Sequence, residues 1–267
     1  MTRLVALDLD GTLLSGSTEL PTAHERVVRE LRQQGSLVAI ATGRPLLTAR
    51  WIWDRLHLDT PMACFNGAWV GVPGAKPIAE SALPERDVRD ILAELTRHDG
   101  AICCYPQADR WVIDRESGPT AGWRERYRAD FEVDPRLASD WRGSSFKVMF
   151  VTAGDQLRAV FAGLRQRFAD RFHICVSEYD RLEISRAGVT KAWGLERLAR
   201  HLGCEQAEVW AVGDAENDLE MIAWAGHGCA MGHACERVRC SARHVLPGIH
   251  ARGLCALPGL LARHAPG

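Results

Sequence analysis

Leu4-Val5-Ala6-Leu7 runs without a polar break into Asp8-Leu9-Asp10-Gly11-Thr12, and this junction constrains the fold more than any other stretch. A short continuous apolar run is the signature of a strand covered on both faces. Side chains two apart on an extended chain point the same way, so the carboxylates of Asp8 and Asp10 face one cavity. Gly11 allows the sharp turn and close backbone approach that follow. The blander alternative is that both acids merely cap a turn. Two acids after a buried strand, however, are costly to desolvate without a cation.

The segments that follow repeat the pattern. Val27, Val28 and Leu31 predict a helix over about Thr22 to Gln34, stopped by Gly35. Leu37–Ala41 reads as a second buried strand, Pro45 opens a helix to about Leu56, and Pro61–Phe65 reads as a third strand. This alternation predicts a parallel sheet with right-handed crossovers. The rhythm then changes. Ala68 to Glu80 reads as a hairpin or linker, and Val88, Ile91, Leu92 and Leu95 mark a helix over Pro84–Arg97. Strands at Ala101–Tyr105 and Trp111–Asp114 precede a polar, Trp-containing segment. Phe146–Val151, a helix over Asp155–Phe168, and the pair His173–Ser177 and Arg181–Ser185 complete an α+β block. The first rhythm then returns. Thr190–Leu202 reads as a helix, Val209–Gly213 as a buried strand and Asn217–Ala225 as a helix, with short strands near Cys229 and Val245 and a closing helix. The expected organisation is a split α/β core of residues 1–80 and 186–267 around an inserted domain of residues 81–185.

Thirty-three basic and 34 acidic residues give a net charge of −1, without the basic surplus that nucleic acid or an anionic membrane requires. No apolar run approaches the ~18 residues of a membrane span, and the N-terminus lacks the apolar stretch of a signal peptide. Nine scattered cysteines without a C-x-x-C pair read as reduced thiols, so a cytoplasmic protein is expected. Only Lys76, Lys147 and Lys191 are lysines.

Two further polar clusters follow predicted strands, Thr42-Gly43-Arg44 and Gly213-Asp214-Ala215-Glu216-Asn217-Asp218. Ligands of open parallel sheets bind beyond the carboxyl ends of the strands, so three such ends converge on one pocket. Asp8, Asp10 and Asp214 offer the oxygens that suit a hard cation such as Mg²⁺. Thr42 offers a hydroxyl and nearby backbone N–H groups for a phosphate, and Asp218 could instead cap the following helix. Lys191 opens a helix, where anions are favoured, although a solvated surface lysine is the plainer alternative.

Asp8-Leu9-Asp10-Gly11-Thr12, Thr42-Gly43-Arg44, Lys191 and Gly213-Asp214-x-x-Asn217-Asp218 resemble the four motifs of the haloacid dehalogenase superfamily. Their order and spacing are similar to its Cof-type phosphatases, as are Asn66-Gly67-Ala68 and Ala225-Gly226-x-Gly228-Cys229-Ala230-Met231-Gly232. The resemblance implies an α/β fold with a Rossmann-like parallel-sheet core and an inserted α+β cap of the C2 type that sets specificity. It implies Asp8 as the nucleophile that becomes an aspartyl phosphate and Asp10 as the general acid and base. Mg²⁺ would be held by Asp8, the Asp10 carbonyl and Asp214, with Asp218 close by. Leu9, Thr42, Gly43, Lys191 and Asn217 would bind the phosphoryl group, and Arg44 and Asn66 would touch the substrate. The expected activity is hydrolysis of a small phosphorylated metabolite, a sugar phosphate or a phosphorylated cofactor precursor, by a monomer or homodimer. A phosphomutase using the same aspartyl phosphate and a non-catalytic phosphometabolite-binding regulator are the alternatives.

Two stretches depart from that subgroup. His233 stands where members commonly have asparagine in A-M-G-N-A, and Gly248-Ile249-His250-Ala251-Arg252-Gly253 replaces an Asn-Asp-Glu-Asp-Gly stretch. Cys229, His233, Cys235, Cys240 and His244 match no standard zinc spacing. Trp51, Trp53, Trp111, Trp123 and Trp141 read mainly as packing residues, with stacking of a cap tryptophan on a substrate ring as the alternative. Arg124–Arg128 reads as a solvated helix face.

Overall fold

The computed structural model describes residues 3–16, 18–152, 154–168 and 170–264. It divides into two compact units, one of residues 1–44, 49–80 and 190–267 and the other of residues 45–48 and 81–189.

The first unit is built on a five-stranded parallel sheet. Its order is His244–Leu246, His227–Met231, Val209–Gly213, Leu4–Leu7 and Leu37–Ile40. All four residues of Leu4–Leu7 are buried, as a strand covered on both faces requires. The chain leaves this strand toward Leu37–Ile40 on one side and reaches Val209–Gly213 on the other. The strand order therefore reverses at the Leu4–Leu7 strand, the kind of switch point where open sheets bind ligands.

One expectation needs correction. The segment Pro61–Phe65 does form a strand, Met62–Cys64, but it pairs antiparallel with Trp69–Gly71, which in turn pairs with Ala79–Glu80. Its tie to the parallel sheet is the single bridge Ala41–Ala63, with Thr42 N–H donating to the Ala63 carbonyl. The hairpin wins because Phe65 and Asn66 take left-handed conformations, with φ of 53° and 54°, and turn the chain back on itself.

Helix Lys191–His201 packs its backbone directly on that turn. A Cβ built on Gly194 would lie 2.6 Å from Gly67 Cα, so neither position has room for a side chain. The predicted helix from Asn217 is shorter than expected. Glu216–Asp218 forms a tight 3₁₀ turn and the α-helix proper is Leu219–Trp224.

The second unit carries a six-stranded sheet. Its order is Phe172–Glu178, Arg181–Arg186, Lys147–Val151, Ala101–Gln107, Arg110–Ile113 and Glu132–Val133, antiparallel except for the last pair. Helices Glu85–Leu95 and Gly154–Phe168 bury Val88, Ile91, Leu92, Leu157, Val160 and Leu164 in one apolar cluster with the sheet. The Trp-containing segment forms the short helices Trp123–Tyr127 and Leu137–Asp140. Trp111 lies 4.9 Å from Phe131 and 5.4 Å from Trp123 between ring centroids, so these tryptophans are packing residues. Arg124 is exposed, pairing with Asp130 and Glu116. No helix among the described residues is long and apolar enough to cross a membrane.

At the amino ends of the parallel strands the His227 ring stacks on Trp210, with centroids 4.0 Å apart and planes within 3°. His227 Nδ1 lies 3.5 Å from His244 Nε2. Burial, then Arg243, His244, His264 and Arg3, push the His227 pKa down to about 4. An imidazole whose folded value lies below its ordinary ~6.5 stabilises the fold at higher pH and loses that contribution as the pH falls through the interval. Thermal melts should therefore show the midpoint dropping between about pH 6.5 and 4. His227→Phe, which keeps a ring on Trp210, should flatten that slope. An unchanged slope would place the acid sensitivity elsewhere.

Candidate active site

Register brings the three polar clusters together. Leu7 pairs with Ile40 on one side and Val212 on the other, so Asp8 leaves the sheet level with Ala41 and Gly213. Asp8 N–H donates to the Val212 carbonyl at 3.0 Å. The Leu9 carbonyl then closes the turn, accepting the N–H groups of Thr12, Leu13 and Leu14. Gly11 has φ of 83°, and a Cβ there would collide with the Asp214 carboxylate.

Lys191 is the centre of the charge arrangement. Thr190 caps its helix by accepting from Trp193 N–H, and the Lys191 side chain is only 1% exposed. Its Nζ donates to Asp8 Oδ1 and to Asp218 Oδ1, each at 2.6 Å. A solvated surface lysine is thereby ruled out. The other Asp218 oxygen accepts the N–H groups of Asp214 and Ala215, both at 3.0 Å. Asp218 thus ties back the turn preceding it, and its side chain makes no cap on the Leu219–Trp224 helix. Thr12 Oγ1 donates to Asp214 Oδ1 at 2.8 Å.

Asp8, Asp214 and Asp218 each offer one oxygen, all within 4.8 Å of one another. Burial, reinforced by the Asp218 carboxylate, raises the Asp8 pKa well above the usual range, and Lys191 only partly opposes this. Burial also raises Asp214, with the Thr12 hydrogen bond opposing and Asp218 adding to the shift. Burial alone would lower Lys191, but Asp218 and Asp8 carry it above its ordinary value. Three carboxyl groups around one ammonium are a donor set of hard oxygens with little positive charge beside it. That chemistry fits a divalent cation such as Mg²⁺.

The exposed rim is organised differently. Asp10 is 53% exposed on its side chain, and the Arg44 guanidinium grips both of its oxygens, Nε to Oδ2 at 2.7 Å and Nη2 to Oδ1 at 2.5 Å. Thr42 is buried, and its hydroxyl accepts the Arg44 N–H at 3.1 Å. Asn217 Nδ2 donates to Asn66 Oδ1 at 2.9 Å, and Gly43 passes close beneath this pair. A left-handed backbone, as at Asn66, is one that asparagine tolerates better than most residues. His233 enters the same neighbourhood, its Nε2 being 3.5 Å from Asp214 Oδ2.

The residues proposed from the sequence for catalysis, metal, phosphate and substrate therefore lie at one edge of the parallel sheet. Asp8, Lys191, Asp214 and Asp218 form its buried floor, and Asp10, Arg44, Asn66 and Asn217 its rim. Sequence reasoning missed the Arg44–Asp10 pair and the approach of His233. Neither has a local signature, because the partners are 34 and 19 residues apart and meet only through the sheet. The departure of His233 from the subgroup pattern was the available signal.

Comparison with known proteins agrees with this arrangement. Residues 5–256 match the haloacid dehalogenase-like hydrolase family. The chain is 31% identical over 258 residues to the HMP-PP phosphatase of Serratia proteamaculans (strain 568), covering 96% of this chain and 91% of that protein. It is 28% identical over 261 residues to the HMP-PP phosphatase of Cronobacter sakazakii (strain ATCC BAA-894), covering 92% and 89%. In fold it is similar to a haloacid dehalogenase-like hydrolase from Bacteroides thetaiotaomicron, with a TM-score of 0.88 at 24% identity, covering 98% of this chain and all of the other. The chain belongs to the haloacid dehalogenase-like hydrolases, of the Cof type, and is an enzyme of that class.

Proposed function

We propose that the chain is a Mg²⁺-dependent phosphatase that removes a phosphoryl group from a small phosphorylated metabolite through an aspartyl phosphate on Asp8. The observation that carries this reading is the single buried ammonium of Lys191 shared by Asp8 and Asp218, beside Asp214. The similarity to HMP-PP phosphatases supports substrates such as HMP-PP, with sugar phosphates and other phosphorylated cofactor precursors in the same class. All nine cysteines are free, which supports a reducing, cytoplasmic setting. Residues 81–189 supply the selectivity in this reading, as a specificity cap inserted in the catalytic core.

Lys191 fixes Asp8 Oδ1, leaving Oδ2 to attack phosphorus. As the new Asp8–phosphorus bond forms, the bond from phosphorus to the leaving oxygen breaks, and Asp10 gives that oxygen its proton. Asp10 then takes a proton from water, whose oxygen attacks phosphorus. The Asp8–phosphorus bond breaks and inorganic phosphate leaves with the carboxylate restored. Arg44 holds Asp10 in reach of the reacting group until the substrate enters. Leu9 N–H, Thr42, Gly43, Lys191 and Asn217 orient the phosphoryl oxygens, where catalysis is mostly positioning and charge neutralisation. Asp8, Asp214 and the Asp10 carbonyl, with Asp218 close by, would hold Mg²⁺, which would supply further neutralisation of charge at the transferring group.

The test is phosphate release over a metabolite panel that includes HMP-PP and sugar phosphates, with Mg²⁺ or with chelator. Turnover should appear only with Mg²⁺, and Asp214→Asn should need at least about tenfold more Mg²⁺ for half-maximal rate. Equal release in chelator, or an Asp214→Asn titration identical to wild type, would sink the metal assignment.

A further inference from the structure

We propose that His233 positions the Asp214 carboxylate for cation binding and that the Gly248–Ile249 turn holds the His233 ring in place. This rests on the metal reading of the site.

The two departures from the Cof-type pattern meet in space. Ile249 N–H donates to His233 Nδ1 at 3.2 Å. A Cβ built on Gly248 would lie 3.7 Å from both Cβ and N of His233, so the ring's residue sits against the turn. Gly232, immediately before it, donates its N–H to the Pro247 carbonyl at 3.4 Å. The replaced stretch near the C-terminus and the replaced asparagine are thus one hydrogen-bonded unit.

Its direction matters. A neutral imidazole has one donor and one acceptor nitrogen, so a ring whose Nδ1 accepts an amide carries its proton on Nε2. That nitrogen is the one 3.5 Å from Asp214 Oδ2. The opposite oxygen, Oδ1, takes the Thr12 hydroxyl at 2.8 Å. Asp214 thus has Oδ1 hydrogen-bonded to the Thr12 hydroxyl and Oδ2 faced by His233 Nε2 at 3.5 Å, an ion-pair rather than a hydrogen-bond distance, and the two neighbours flank the carboxylate and restrict its rotation. Groups that orient a ligating side chain in this way are worth about 10- to 100-fold in metal affinity. His233 is a positioning residue, since it meets Asp214 and none of the reacting groups.

The experiment reads Mg²⁺ alone, by its effect on thermal midpoint without substrate, alongside the Mg²⁺ dependence of turnover. His233→Ala should raise the half-saturating Mg²⁺ concentration about tenfold and reduce kcat at saturating Mg²⁺ by far less. His233→Gln, which keeps an N–H donor, should recover most of the affinity. Ile249 opens a 3₁₀ turn, where proline is tolerated, so Ile249→Pro removes little beyond the N–H that anchors the ring. It should weaken Mg²⁺ binding in the wild type and add nothing in the His233→Ala background. A wild-type titration for His233→Ala, while Asp214→Asn loses its response, would overturn this inference and leave the metal reading standing. An additive Ile249→Pro effect, or no rescue by glutamine, would also overturn it. A wild type whose midpoint ignores Mg²⁺ would overturn both.

Discussion

Asp8→Asn is expected to abolish phosphate release, by about 10⁴-fold or more in kcat, while making the cation-free protein more stable at neutral pH. The first effect follows from the proposed role, since an amide nitrogen or oxygen is not a competent nucleophile toward phosphorus. The second follows from the electrostatics. Burial and Asp218 hold the Asp8 pKa well above its ordinary range. A carboxyl with a raised folded pKa stabilises the fold fully below its unfolded value and loses that contribution as the pH rises through the folded value. At pH above its ordinary range this buried carboxyl is therefore a burden that the amide removes, while the amide oxygen still accepts from Lys191. A gain in thermal midpoint is therefore expected for Asp8→Asn without divalent cation. Phosphate release measured with Mg²⁺ and melts measured with chelator check the two halves separately. Turnover near the wild-type rate would refute Asp8 as nucleophile. A lower midpoint would refute the charge argument.

Lys191→Met should have the opposite effect on the fold. The ammonium is the shared donor to Asp8 and Asp218, both buried, and methionine nearly matches its length. Removing one partner of a buried ion pair costs about 3–5 kcal/mol, because the other charge stays behind without compensation. In a protein of this size that lowers the midpoint by about 10 °C. Lys191 has a raised pKa, so its contribution is present below its ordinary value and lost only at strongly alkaline pH. The loss in the variant should accordingly shrink toward acid, where Asp8, its pKa raised by burial, takes up a proton. Added Mg²⁺ should recover part of it, and turnover should fall about 10²- to 10³-fold. An unchanged midpoint in chelator would show that Asp8 and Asp218 do not depend on the lysine.

The parallel sheet was readable from the chain because doubly covered strands are continuously apolar, as in Leu4–Leu7 and Val209–Gly213. The strand Met62–Cys64 is equally apolar and equally buried, yet belongs to a different sheet. Composition marks burial, not partner, and the partner was chosen by two left-handed residues whose preference is written nowhere in hydrophobic spacing. The short helices Leu137–Asp140 and Glu236–Ser241 escaped notice because one or two turns carry too few apolar positions for a period to emerge.

At the site, residues at strand ends were legible since the topology of such sheets aims them at one edge. What the chain did not disclose was who pairs with whom. Arg44 looked free for substrate and is committed to Asp10; Lys191 could have faced solvent and instead lies at the bottom of the acidic floor. These are long-range contacts decided by charge deficit, which only the assembled fold defines.

The contact between Gly67 and Gly194 has a consequence for tolerance to change. These residues, far apart in the chain and absent from the chemistry, act as a spacer of zero thickness beneath the helix that carries Lys191. A single methyl group on either would lift that helix away from the turn and draw the ammonium off its two carboxylates. Loss-of-function changes in this enzyme should thus fall at positions a catalogue of polar residues would pass over, where the only property selected is the absence of a side chain.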